Sequence, residues 1–194
     1  MKKQLYNIAP KARWIRQGHK SGVLWLTGLS GAGKSALAVG LERFLFDKGM
    51  RVFALDGDNL RHGLTGDLGF SHKDRHENIR RLAEVAAAFV DSGFIVVTAF
   101  ISPFRVDRDN ARRKLGGQFH EIFVKADLNV CEERDPKGLY ARARAGEIKN
   151  FTGISSPYEE PYCPELILNT GEEEFESSLA RLLDYALIAF ADGS

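Results

Sequence analysis

The chain has 194 residues, 44% apolar and 27% charged, which suits one soluble domain with a sizeable core. Its 27 basic and 26 acidic residues leave a net charge of +1. That balance excludes a dedicated nucleic-acid binder or anionic-membrane binder, which would carry a basic excess.

In chain order, residues 1–21 are polar and basic and read as an arm with a short helix around Trp14. "GVLWLTG" reads as a buried strand, followed by a helix over 33–47 and a second strand in "MRVFALD". A polar, glycine-rich connection covers 57–71. A long helix over 73–91 places Ile79, Leu82, Ala86 and Phe89 at helical spacing. "GFIVVTAF", "QFHEIFVKA" and "ELILNT" read as three further strands. Helices are expected over 105–115, 128–134, near "LYARARAGE" and over 172–189. Alternating strands and helices imply an α/β fold: a parallel sheet flanked by helices on both faces. No linker or repeat divides the chain, so 22–194 is expected to be a single domain behind the arm.

Two cysteines, Cys131 and Cys163, make no disulfide framework and no zinc-type spacing. The start lacks the apolar core of a signal peptide, and stretches such as "FIVV" are too short to span a bilayer. The expectation is a reduced, soluble, cytoplasmic protein without membrane or nucleic-acid partners.

"GLSGAGKS" fits G-x-x-x-x-G-K-[ST] through Gly28, Gly33, Lys34 and Ser35. Glycines let a loop of Gly28, Leu29, Ser30, Gly31, Ala32 and Gly33 turn its N–H groups around an anion. The following helix adds its N-terminal dipole. Lys34 supplies a mobile cation, and Ser35 a hydroxyl for Mg²⁺. The pattern predicts binding of a nucleoside triphosphate with Mg²⁺ in a P-loop NTPase-type sheet, and by itself does not separate a kinase from a switch GTPase or a motor ATPase.

No guanine-reading N/T-K-x-D element is present, and the chain is small for a motor. A metabolite kinase fits better. "DGDN" closes the second strand at its carboxyl end, where open α/β sheets bind ligands. One of Asp56 and Asp58 suits accepting a proton from an acceptor hydroxyl, and the other suits holding Mg²⁺ through water. An Asp-Gly turn with a helix cap at Asp58 or Asn59 would explain the same residues.

Arg61 and Arg75 suit an anionic acceptor, because guanidinium groups pair with phosphate or sulfate oxygens through forked bonds. Asn78 lies three residues after Arg75, on the same helix face. His62, His72 and His76 read as surface groups. Ser102 precedes Pro103, which predicts an extended backbone with the helix starting just after it, and Ser102 could simply cap that helix. "RDPKGLYARARAGEIKNFTG" mixes basic residues with glycines and suits a lid over about 135–160. Phe70 and Phe151 could each stack on a base or merely pack.

Taken together, "GLSGAGKS", "DGDNLRHGL", "GFSHKDRHENIRR", "ISPFRVDR", "RDPKGLYARARAGEIKNFTGI" and "PYEEPYCPE" resemble the adenylylsulfate kinase family, in family order over roughly 22–170. The resemblance implies a P-loop kinase fold and transfer of the ATP γ-phosphate to the 3′-hydroxyl of adenosine 5′-phosphosulfate, in sulfate activation. It implies an acceptor site lined by Asp56, Gly57, Asp58, Asn59, Arg61, Phe70, Arg75, Asn78, Ile101, Ser102, Lys137 and Phe151, with the two phenylalanines enclosing the adenine. Lys34, Asp56, Asp58 and Ser102 would carry catalysis, and a homodimer is a further implication. Ala36 stands where the family often has threonine, which leaves Mg²⁺ to Ser35. These motifs include no sulfurylase or GTPase module, so a stand-alone kinase is expected. Ser102 is often described as a phosphoserine intermediate in the family. No base lies near it in sequence, so a positioning role is favoured here. Rival expectations are a kinase for another small anionic metabolite or nucleoside, or a nucleotide-dependent binding module without catalysis.

Overall fold

The computed structural model describes residues 8–191; residues 1–7 of the expected arm lie outside them. The arm contributes one helix, α1 (Pro10–Gln17), with Trp14 inside it as the sequence suggests. Its Trp14 Nε1 donates to Ser21 Oγ at 2.7 Å, which seats the helix on the start of the domain.

Five parallel strands form the sheet: β1 (Gly22–Thr27), β2 (Val52–Asp56), β3 (Ile95–Ala99), β4 (Phe119–Lys125) and β5 (Leu166–Asn169). They stand in the order β2-β3-β1-β4-β5, which puts β1 at the centre. All six residues of β1 are buried, because helices cover both faces. Its side chains alternate between two cores. Leu24 and Leu26 pack with α2 (Lys34–Asp47) and α8 (Phe175–Phe190) through Leu37, Leu41, Leu45, Leu182 and Ala186. Val23 and Trp25 pack with α4 (His72–Asp91) and α5 (Arg105–Leu115) through Ile79, Leu82, Ala86 and Ala111.

Parallel strands put every carboxyl end on one edge. In register, Leu26 and Asp56 both pair with Ala99, and Thr27 pairs with Phe123. The segments leaving β1, β2 and β3 therefore emerge side by side, although they are remote in sequence. Helices α6 (Leu128–Arg134) and α7 (Leu139–Arg144) follow β4 on the same edge.

The connection over 57–71 departs from expectation by containing a short helix, α3 (Gly57–Arg61). Its cap is Asp56 rather than Asp58 or Asn59: the Asp56 carboxylate accepts from the backbone N–H of Asp58. The carboxylate at the end of β2 thus starts the helix two or three residues earlier than the cap the sequence suggests.

Candidate active site

The loop of residues 28–33 joins β1 to α2, and its shape follows from what holds its carbonyls. Lys34 Nζ donates to Gly28 O at 2.9 Å and Leu29 O at 2.6 Å. Tyr140 Oη donates to Ser30 O at 2.9 Å, and Arg134 Nη1 to Gly31 O at 3.5 Å. Thr170 Oγ1 donates to Ala32 O at 2.8 Å. Five successive carbonyls are thus engaged by side chains, which leaves the amide side of the loop for an anion. Gly28 has φ of +154°, and a Cβ there would lie 2.2 Å from Val124 O. Gly31 has φ of +78°, with its Cβ position 2.9 Å from Cys131 O. No larger residue fits either place without moving backbone.

Lys34 is buried, and burial pushes its ammonium down to about 8, against raising contributions from Cys131 and Asp56. An arriving phosphate would raise that value again by supplying the counter-ion that the loop carbonyls only partly replace.

Beside Lys34, Ser35 Oγ donates to Asp56 Oδ2 at 2.7 Å, while Asp56 Oδ1 accepts from Asp58 N at 2.9 Å. Asp58 in turn forms an exposed ion pair with Lys137 at the start of the lid segment. Among the described residues no group of three or more His, Cys, Asp or Glu side chains could hold a metal. The hydroxyl and carboxylate of Ser35 and Asp56 are instead the sparse oxygen set that suits Mg²⁺ completed by phosphate and water. Ser35 and Asp56 therefore fit the ion.

On the far side of α3, Arg61 donates to Leu68 O at 3.2 Å, and its guanidinium stands 4.3 Å from the centre of the Phe70 ring. Phe70 is half exposed. Arg75, near the start of α4, is buried and already engaged. Its Nε donates to Phe70 O at 3.1 Å, Nη1 to Thr152 Oγ1 at 3.0 Å and Nη2 to Asn150 O at 2.6 Å. Burial first, and the neighbouring Arg61 second, lower its pKa. One guanidinium thus fastens both flanks of Phe151 and the backbone of Phe70. Phe151 is not a loose loop ring: it is buried, edge-on to Tyr140 at 5.0 Å. Asn78 lies on the same helix as Arg75, one turn on.

Ser102 corrects two expectations. Its φ is +38°, left-handed rather than extended, and the cap residue of α5 is Phe104. Proline after Ser102 disfavours the right-handed helical region but leaves tertiary bonds to choose among the rest. Those bonds are explicit. Trp25 Nε1 donates to Ser102 Oγ at 3.0 Å, and Arg108 Nη1 to Ser102 O at 2.6 Å. Thr27 Oγ1 donates to Ile101 O at 2.8 Å. Arg108 is itself fully buried and paired with Glu121 at 2.6 Å. The partner of the Ser102 hydroxyl is an indole N–H, a donor, which cannot take a proton from it.

A cleft of about 600 Å³ opens between Leu29 of the loop, Asp127 and Leu128 after β4, and Gly153, Ile154 and Tyr158 of the lid segment. Of the residues singled out from sequence, only Leu29 lines it. Sequence reading also missed the outer supports. Tyr140, Arg134 and Thr170 hold the loop, while Trp25, Thr27 and Arg108 hold the turn at Ser102. Arg134, Tyr140 and Arg108 lie within the motifs quoted above, but no spacing in those motifs names their partners; Trp25, Thr27 and Thr170 act through contacts distant in sequence. Tyr158 Oη lies 3.0 Å from Thr27 Oγ1, and burial pushes its phenol up to about 12.

Residues 20–169 match the family model described as adenylylsulphate kinase. An adenylyl-sulfate kinase of Bacillus pumilus is 63% identical over 171 residues, covering 88% of this chain and 87% of that protein. One from Staphylococcus carnosus is 54% identical over 92% of this chain and 90% of its own length. A solved Mycobacterium tuberculosis APS kinase, in complex with AMPPNP and APS, superposes with a TM-score of 0.82 at 48% identity, over 86% of this chain and 98% of that one. A Sinorhizobium meliloti gluconokinase at 18% identity and a TM-score of 0.54 shares the fold alone. The chain belongs to the adenylyl-sulfate kinase family, enzymes that use ATP to phosphorylate the 3′-hydroxyl of adenosine 5′-phosphosulfate.

Proposed function

We propose that the two halves of the edge divide the reaction between them, the β1–α2 loop taking MgATP and the segments after β2 and β3 taking adenosine 5′-phosphosulfate. The observation that carries this reading is Asp56. It bonds Ser35 of the phosphate loop and caps the helix that bears Arg61, so it stands where the two nucleotides meet. The loop amides and Lys34 hold the β- and γ-phosphates, with Lys34 leaving the Gly28 and Leu29 carbonyls for them. Ser35 would hold Mg²⁺, which when bound would supply charge neutralisation for the transferred group. Asp56 receives or orients the proton of the acceptor 3′-hydroxyl, and Asp58 assists the metal from one water further out. Arg61 takes the phosphosulfate through its free N–H groups, with Arg75 contributing the donors not committed to Asn150, Thr152 and Phe70. Phe70 and Phe151 enclose the adenine, with Asn78, Ile101, Ser102 and Lys137 completing the wall. Ser102 positions the acceptor and forms no phosphoserine. Transfer is direct, and positioning with charge stabilisation supplies most of its rate.

The reading extends to a single kinase domain over 22–194 with a lid at about 135–160, acting in the cytoplasm, and to a homodimer checked by sedimentation. Among the described residues no helix is long and apolar enough to cross a membrane. The test is purified protein with MgATP and adenosine 5′-phosphosulfate, read for the 3′-phosphorylated product. Adenosine lacking the phosphosulfate should be phosphorylated poorly. Equal use of the two acceptors would overturn the arginine assignment.

A further inference from the structure

We propose that Tyr140 is a positioning residue shared by both nucleotide sites, its hydroxyl fixing the ATP loop at Ser30 and its ring fixing Phe151 on the acceptor side. The inference rests on the reading above, in which the loop takes ATP and Phe151 the acceptor base.

The side chain is 2% exposed and makes both contacts at once. Its Oη donates to Ser30 O at 2.9 Å, 110 residues away in the chain. Its ring meets Phe151 edge-on, with centroids 5.0 Å apart and planes at 82°, a favoured aromatic geometry. Burial, and then the neighbouring Cys131, push the phenol pKa up, so the hydroxyl stays a donor at every working pH. Ser30 O needs that donor. If the carbonyl were released, the peptide could rotate and turn an acceptor, not an amide, toward the phosphates.

The backbone of Tyr140 is secured independently of its side chain. Asp135 accepts from the amides of Leu139, Tyr140 and Ala141 at 2.8, 3.0 and 3.1 Å, so helix α7 stays in place when the phenol is changed. On the other side, Arg75 grips Asn150 O and Thr152 Oγ1, and among the described aromatic residues Tyr140 is the ring that meets Phe151. The hydroxyl and the ring therefore serve different nucleotides and are separable by substitution.

The experiment measures AMPPNP affinity by titration calorimetry and the KM for adenosine 5′-phosphosulfate by product formation, in Tyr140→Phe and Tyr140→Leu. Phenylalanine keeps the ring and removes one neutral hydrogen bond. AMPPNP should bind about threefold to tenfold more weakly, with the acceptor KM held within about twofold. Leucine removes both contacts, and both constants should rise. Thermal melts accompany each variant, and Tyr140→Met replaces leucine if leucine does not fold. Unchanged AMPPNP affinity in Tyr140→Phe overturns the loop half. Unchanged acceptor KM in the ring-less variant overturns the acceptor half. Equal losses on both sides in Tyr140→Phe, tracking a lowered melting temperature, would reduce the residue to a stability role and overturn the whole inference. Phe151→Ala separates the underlying reading: if its acceptor KM is that of the wild type, the acceptor assignment fails while the Ser30 result stands by itself.

Discussion

The proposed ATP side and the proposed acceptor side of this edge are built on opposite principles. The ATP side is backbone: five consecutive carbonyls held by side chains, two of them by the buried Lys34, and two glycines packed against neighbouring carbonyls. The proposed acceptor side relies on side chains from separate segments, and the Arg75 guanidinium ties the Phe70 backbone to residues 150 and 152 of the lid segment. A phosphate chain looks alike in every nucleoside triphosphate, so a standard backbone cradle serves it. An acceptor with an adenine and a mixed anhydride tail must be told from its relatives, and that discrimination needs placed donors and flat surfaces.

The comparison breaks first at Lys34. Lys34→Ala removes the only ammonium in the loop, and kcat should fall by about a hundredfold to a thousandfold, as for loss of a donor to transition-state charge. A kcat equal to wild type would remove Lys34 from the chemistry.

Arg75→Ala should next raise the acceptor KM by about tenfold to a hundredfold, because it frees both flanks of Phe151 and the Phe70 carbonyl together. The KM for ATP should move far less. Equal rises in both KM values would show that the two halves are not built separately.

The Lys34 ammonium also sets a pH dependence. Its folded value of about 8 lies below the ordinary 10.5, so the unfolded chain binds more protons between those values. Stability therefore rises with pH through that window, as the cost of burying the charge is relieved. Phosphate binding runs the other way, since it needs the charged form. AMPPNP affinity measured by calorimetry should fall by up to about tenfold per pH unit above 8. A flat profile to pH 10 would show that the lysine keeps its proton.

Ser102→Ala should cost less than about tenfold in kcat, since the hydroxyl receives an indole bond and has no base beside it. Complete loss of turnover, or retention of configuration at a chiral γ-phosphate, would vindicate a covalent intermediate. The smallest effect is expected at Lys137→Met. Its ion pair with Asp58 is exposed on both partners, and such pairs contribute about 1 kcal/mol or less. The melting temperature should hardly move, and only the acceptor KM should respond.

The sequence alone determined the strand–helix alternation, the parallel sheet, the phosphate loop and the sites of its glycines. These follow from periodicity, burial and left-handed φ, which adjacent residues dictate locally. Ordered motifs also placed the chain in its family. Only the tertiary structure decided that Asp56 caps a helix, that Ser102 is left-handed, that Arg75 is bound to the lid, and that Tyr140 and Thr170 hold the loop. Apart from the Asp56 cap, which closes on Asp58 N two residues on, each of these depends on a partner reached across the sheet edge or through a bond of long sequence separation. The local pattern has no term for such a partner, because the same serine or tyrosine would read identically wherever the fold had put it.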